Sequence, residues 1–168
     1  MPPKKKAISV ATPVLQAQTK LYFSPAFLKL SSPLPQEISV MVDTEKNTIS
    51  QAQVEIQYDP KAVTITSVRS GNFFSNTLPL VNKNDAGRGR IEFAIGFSER
   101  QRSVNGVGQL AIIQLAPGPE ATLSARTQLS FLPKSSVRAQ DQTASLLSAT
   151  ENLIIDFSAL TPIIQPSL

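Results

Sequence analysis

The stretch Gln51-Ala52-Gln53-Val54-Glu55-Ile56-Gln57-Tyr58, halted by Asp59-Pro60, constrains the fold more than any other part of this chain. Ala52, Val54, Ile56 and Tyr58 alternate strictly with Gln51, Gln53, Glu55 and Gln57. A period of two puts one set on each side of a strand, giving one buried face and one solvated face. Proline then stops the ladder, because it has no N–H to donate. Such a strand needs a sheet around it and a second layer beneath it.

The rest of the chain supplies both. Lys20 to Pro25 reads as a short strand, and Glu37 to Asp43 as another with Ile38, Val40 and Val42 on one face. Ala62 to Val68 follows, burying Val63, Ile65 and Val68, and then a Gly71-Asn72-Phe73-Phe74 loop whose rings plug one end. A strand is expected around Leu78 to Val81, and the residues from Asn82 to Gly89 read as a turn tolerant of positive φ. Arg90 to Phe97 alternates with Ile91, Phe93, Ile95 and Phe97 inward, and Leu110 to Leu115 is apolar enough for a central strand. Ala121 to Leu132 and Asn152 to Phe157 complete the set, while Ala144 to Glu151 admits a short helix with little to favour it. About nine strands joined by turn-rich loops make an all-β, two-sheet jelly-roll sandwich. The expected organisation is a flexible N-terminal tail or processed segment over 1–19, the sandwich over 20–157, and a Pro-containing C-terminal linker over 158–168.

Composition narrows the function classes. Charged residues make up 17% of the chain, against about 25% in a typical domain, and neutral polar residues replace them. That surface is common in secreted β-proteins, so the expected location is extracellular or at the cell surface. Of the net charge of +4, Lys4, Lys5 and Lys6 supply three, and the remaining 13 basic and 12 acidic residues nearly cancel. No basic patch is left for nucleic acid. The chain has no Cys and no His, which removes thiolate chemistry, the usual imidazole base and most transition-metal ligand sets. No apolar run reaches the roughly 18 residues of a membrane span. The order Lys4–Lys6, Ala7 to Leu15, then Ala17 is that of a signal peptide, but Thr12 and Pro13 break the apolar part and favour a plain basic tail.

The order of the strand signals resembles the cohesin family and its carbohydrate-binding-module relatives. The features that carry the likeness are an alternating strand ending in Tyr58-Asp59-Pro60 and the β-branched strand Ala62 to Val68. They continue with Gly89-Arg90-Ile91-Glu92-Phe93-Ala94 and the Gly106-Val107-Gly108 lead-in to an apolar strand. The likeness covers Lys20 to Phe157. It implies a nine-stranded, exported, non-catalytic module that holds a protein partner on one flat sheet. In cellulosomal cohesins that partner is a dockerin, a small calcium-binding module, and the strand ending in Tyr-Asp-Pro contributes an Asn and an Asp two residues apart. This chain carries Gln51 and Gln53 at the matching positions, so the carboxylate is missing.

The expected contact surface is therefore Gln51, Gln53, Glu55 and Gln57, with Arg90 and Glu92 outward on a neighbouring strand. A solvated outer face shows the same residue types. No cofactor is expected. Glu55 and Glu92 could share a face, but two carboxylates on an open sheet lack the cleft that acid–base hydrolysis requires. Serines are plentiful, yet without His their usual activation is missing. Asn82, Asn84 and Asp85, and separately Asp43, Glu45 and Asn47, offer oxygen near a turn, but an EF-type calcium loop needs more acids and a distal Glu, so a polar turn is the expected reading. A polysaccharide partner would use aromatic platforms, and with no Trp only Phe73 and Phe74 offer an adjacent pair. As a subunit of a surface layer or filament, the chain would add Ala7 to Leu15 or Leu160 to Ile164 to a neighbour's sheet edge.

Overall fold

A computed structural model describes residues 15–99, 102–123 and 125–160. Within them the chain forms β1 (Thr19–Ser24), β2 (Phe27–Lys29), β3 (Gln36–Asp43), β4 (Gln51–Gln57), β5 (Val63–Ser70) and β6 (Val81–Asp85). It continues with β7 (Arg90–Gly96), β8 (Val107–Pro117), a 3-10 turn (Ala121–Leu123), β9 (Arg126–Phe131), β10 (Ser136–Arg138), β11 (Leu147–Glu151) and β12 (Leu153–Asp156). A five-stranded sheet runs β11-β1-β3-β8-β5. A seven-stranded sheet runs β2-β12-β9-β4-β7-β6, with β10 also paired to β4. The architecture is the two-sheet sandwich expected from the alternation. Two strands change sheets part-way: β1 passes to β2 through Pro25-Ala26, and β11 passes to β12 through Asn152.

The core follows the pattern of alternation closely. Val54 and Ile56 of β4, Ile91, Phe93 and Ile95 of β7, Val40 and Val42 of β3, and Ile113 and Leu115 of β8 are all at most 1% exposed. Apolar burial of this kind contributes roughly 25 cal/mol per Å² and is the main drive to fold. Phe73 and Phe74 close one end, as the sequence predicts, and a third ring joins them. Phe74 meets Phe73 edge-on at 5.3 Å and Phe97 edge-on at 5.1 Å. Gly89 ends the β6–β7 hairpin at φ 63°, a conformation that suits glycine, and its carbonyl accepts from Tyr58 N at 2.8 Å.

Several expectations change. The strand expected at Leu78 to Val81 begins only at Val81, and Leu78 and Leu80 are 85% and 61% exposed. Asn82, Asn84 and Asp85, read as turn residues, lie in β6, and the turn contracts to residues 86–89. The reason is polar. Asn82 and Asn84 share the face of Phe93 and Ile91, yet their side-chain amides donate to the Val68 and Ile65 carbonyls of β5 at 2.8 and 3.4 Å. Hydrogen bonding replaces apolar packing there, so no hydrophobic period marks the strand. The short helix at Ala144 to Glu151 is replaced by β11, which pairs parallel to β1 and is exposed over four of its five residues. An exposed edge strand carries no alternation to reveal it. The Ala121 to Leu132 strand divides into a 3-10 turn and β9.

At the N-terminal end, the fold includes residues ahead of Lys20. Thr19 is fully buried in β1, and Asn47 holds the chain before it. Asn47 Oδ1 accepts from Gln18 N at 3.0 Å and Thr19 Oγ1 at 3.1 Å, and Asn47 Nδ2 donates to Gln16 O at 2.9 Å. The Asp43, Glu45 and Asn47 oxygens weighed as calcium ligands are thus spent locally. Asp43 accepts from Glu45 N at 2.9 Å, and Glu45 pairs with Lys20 at 2.8 Å. The proposed edge-adding stretches Ala7 to Leu15 and Leu160 to Ile164 fall outside the described residues except at Leu15, which is exposed, and Leu160, which packs on the core.

Candidate functional site

Strand β4 sits in the middle of the larger sheet, with β7 along one side and β9 and β10 along the other. Register places Gln57 opposite Arg90, Glu55 opposite Glu92, Gln53 opposite Ala94 and Gln51 opposite Gly96. Directly opposed residues share a face. All six sequence-expected site residues therefore lie on the outer face of this sheet, and β6 extends it with Lys83 beside Glu92 and Val81 beside Ala94.

Their environments differ sharply. Glu55 and Glu92 face one another as like charges, an arrangement that destabilises a sheet unless a cation intervenes. Arg90 intervenes: it forms an ion pair with Glu55 and brings Nε to within 3.5 Å of Glu92 Oε1. Glu55, expected to be solvent-facing, is only 4% exposed. The turn between β9 and β10 lies against its backbone: Glu55 N donates to Ser135 Oγ at 3.1 Å, and Leu132 N donates to Glu55 O at 2.8 Å. Glu55 is accordingly an internal partner of Arg90, and its place in a contact surface passes to its neighbours. Gln57 is also committed, donating through Nε2 to Tyr58 O at 3.2 Å and Arg88 O at 3.0 Å.

Gln51 and Gln53 remain. Both are half-buried, and neither side-chain amide has a hydrogen-bond partner among the described residues. Their donors and acceptors stand ready on a rigid strand. Below them, at the Gly96 end, the surface dips on both sides of exposed Leu80. One hollow is lined by residues 76–80, Gly96, Phe97 and Arg102, and the other by Ser50, Gln51, Arg138 and Asp141. Gly96 lacks a side chain because a Cβ there would fall 2.7 Å from Ser50 O. This end of the face was not foreseen, since a strand was expected around Leu78 to Val81. Pro79 between two leucines was the available sign of an unpaired, outward segment.

Phe73 and Phe74 are 8% and 1% exposed, so the pair that offered a sugar-stacking platform belongs to the core. Among the described residues no helix is long and apolar enough to cross a membrane.

Comparison with known proteins places the architecture. No protein-family model matches the chain, and no curated protein matches its sequence. Solved structures do match. A chain of a type I cohesin–dockerin complex from Clostridium thermocellum superposes with a TM-score of 0.72 at 12% identity, covering 88% of this chain and 97% of that one. A cohesin from Clostridium acetobutylicum gives 0.70 at 15% identity, covering 88% and 95%. The non-cellulosomal cohesin of the archaeon Archaeoglobus fulgidus gives 0.64 at 14% identity, covering 84% and 91%. The class defined by these sheets is the cohesin-like β-sandwich. Identities this low establish the fold and leave the partner to be argued from the face itself.

Proposed function

We propose that this domain is a non-catalytic, extracellular protein-interaction module, and that its partner, a dockerin-like module, docks on the outer face of the seven-stranded sheet. The observation that carries the reading is the pair of unspent amides at Gln51 and Gln53. They stand on a strand held from both sides, beside an Arg90–Glu55–Glu92 cluster that fixes the surface around them. A surface that keeps its hydrogen-bonding groups free on a rigid scaffold loses little entropy on binding. Protein modules among the structural neighbours occur in cohesin–dockerin complexes, which supports a partner of that kind. With neutral amides at the matching positions, recognition relies on neutral hydrogen bonds there, each worth about 0.5–1.5 kcal/mol.

The test is binding of the purified domain to a panel of dockerin modules with and without calcium. Gln53→Arg is expected to abolish binding while leaving the melting temperature unchanged, because the side chain contributes no internal bond. Binding that survives Gln53→Arg, or a domain that engages no dockerin, would remove the sheet face from consideration.

A further inference from the structure

The hollow beside Gln51 contains a cation that has no ion-pair partner among the described residues. Arg69, Arg88, Arg90, Arg102 and Arg126 each reach a carboxylate within 4.0 Å. Arg138, by contrast, has no ion-pair partner among the described residues, and its Nε is buried without a hydrogen-bond acceptor. Only its backbone is used, the carbonyl accepting from Ser50 N at 2.9 Å. A guanidinium half-withdrawn from water with an idle N–H is costly unless something completes it. Strand β10 holds the residue in place through its pairing with β4, Arg138 lying opposite Gln51. Leu80, 61% exposed, forms the wall shared by this hollow and the next.

We propose that Arg138 and Leu80 form a docking spot for a protein segment that carries a carboxylate side chain next to an apolar one. The carboxylate would accept from the Arg138 fork, and the apolar group would cover Leu80. The planar guanidinium matches a carboxylate in geometry. Asp141 lines the same hollow and keeps its net charge near zero, which favours a singly charged carboxylate over a doubly charged phosphate. The proposal rests on the interaction-module reading and deepens it, because it supplies the charged, directional contact that Gln51 and Gln53 cannot. It also assigns a function to Leu78-Pro79-Leu80, whose exposure no packing explains.

The experiment titrates the isotope-labelled domain with the capped peptide acetyl-Asp-Leu-Leu-amide and its Asn-containing counterpart, following the Arg138 Nε–Hε resonance, the Gln51 side-chain amide and the Leu80 methyls. The expected result is a saturable shift of all three with the acidic peptide, and binding about tenfold weaker for the amide version, the loss of one charge-assisted hydrogen bond. Arg138→Met should abolish the difference between the two peptides with the fold intact by melting temperature. Lys29→Met, on the far edge strand β2, should leave it in place. Equal binding of both peptides, inorganic phosphate shifting Arg138 as strongly as the acidic peptide, or no shift at Arg138 at all would each overturn the assignment. None of these outcomes touches the sheet-face reading, which stands or falls on the dockerin assay.

Discussion

The Tyr58 hydroxyl donates to Asn84 Oδ1 at 2.8 Å, tying the end of β4 to the edge strand β6. Asn84 in turn donates to Ile65 O of β5, so a single phenol anchors a bond between the two sheets. Burial holds the Tyr58 pKa above its ordinary 10.0, the Asn84 hydrogen bond works in the opposite direction, and the nearby Asp85 charge adds to the rise. A folded pKa above the unfolded one gives stability that is whole below the unfolded value and is lost as pH rises through the folded value. Urea midpoints measured from about pH 9 to 11 should fall more steeply for the native chain than for Tyr58→Phe. At neutral pH the substitution should cost about 0.5–1.5 kcal/mol.

Arg90 keeps a buried carboxylate tolerable. Arg90→Met would leave Glu55 charged, 4% exposed and without its cation, and should cost about 3–5 kcal/mol in urea unfolding. Adding Glu55→Gln to that variant should restore more than half of the loss. If the double variant is no more stable than Arg90→Met alone, the penalty does not come from the stranded charge.

Gly89 is constrained twice over. Its φ of 63° disfavours any L side chain, and a Cβ would stand 2.1 Å from Tyr58 O. The conformation alone costs a non-glycine residue about 1–2 kcal/mol, and the contact adds to it. Gly89→Ala should therefore lower the melting temperature by roughly 4–8 °C for a domain of this size. An unchanged melting curve would mean that the hairpin rearranges at no cost.

Asn47 spends its whole amide on the start of β1, through bonds to Gln16, Gln18 and Thr19. Asn47→Ala should destabilise the domain by about 1–3 kcal/mol, since buried groups lose their partners. Hydrogen exchange should localise the loss to the amides of Gln18 and its neighbours in β1, ahead of the central strands β3 and β8.

What could be read in advance was whatever apolar alternation records. β3, β4, β5 and β7 each present a period of two and β8 a nearly continuous apolar run, and each appears within a few residues of where that pattern places it. The strands that escaped notice did so for physical reasons. β2 and β10 span three residues each, too few to show any repeat. β11 is an exposed edge, and β6 meets the core with asparagines. The candidate face divides the same way. Its six residues are outward by parity and do share one surface, but parity says nothing of how deep a side chain sits. The burial of Glu55 depends on the turn from β9 to β10, almost eighty residues downstream. The exposure of Leu80 and the isolation of Arg138 depend likewise on tertiary placement.

The asparagines of β6 bear on how such a domain behaves in crowded company. An outermost strand ordinarily shows unused carbonyls, which invite a foreign strand to extend the sheet. On β5 two of these, at Ile65 and Val68, are already occupied by the amides of Asn84 and Asn82. Replacing both asparagines with valine would improve the apolar pattern of β6 while freeing those acceptors. The native residues thus trade local hydrophobicity for an edge that presents fewer open acceptors to a foreign strand.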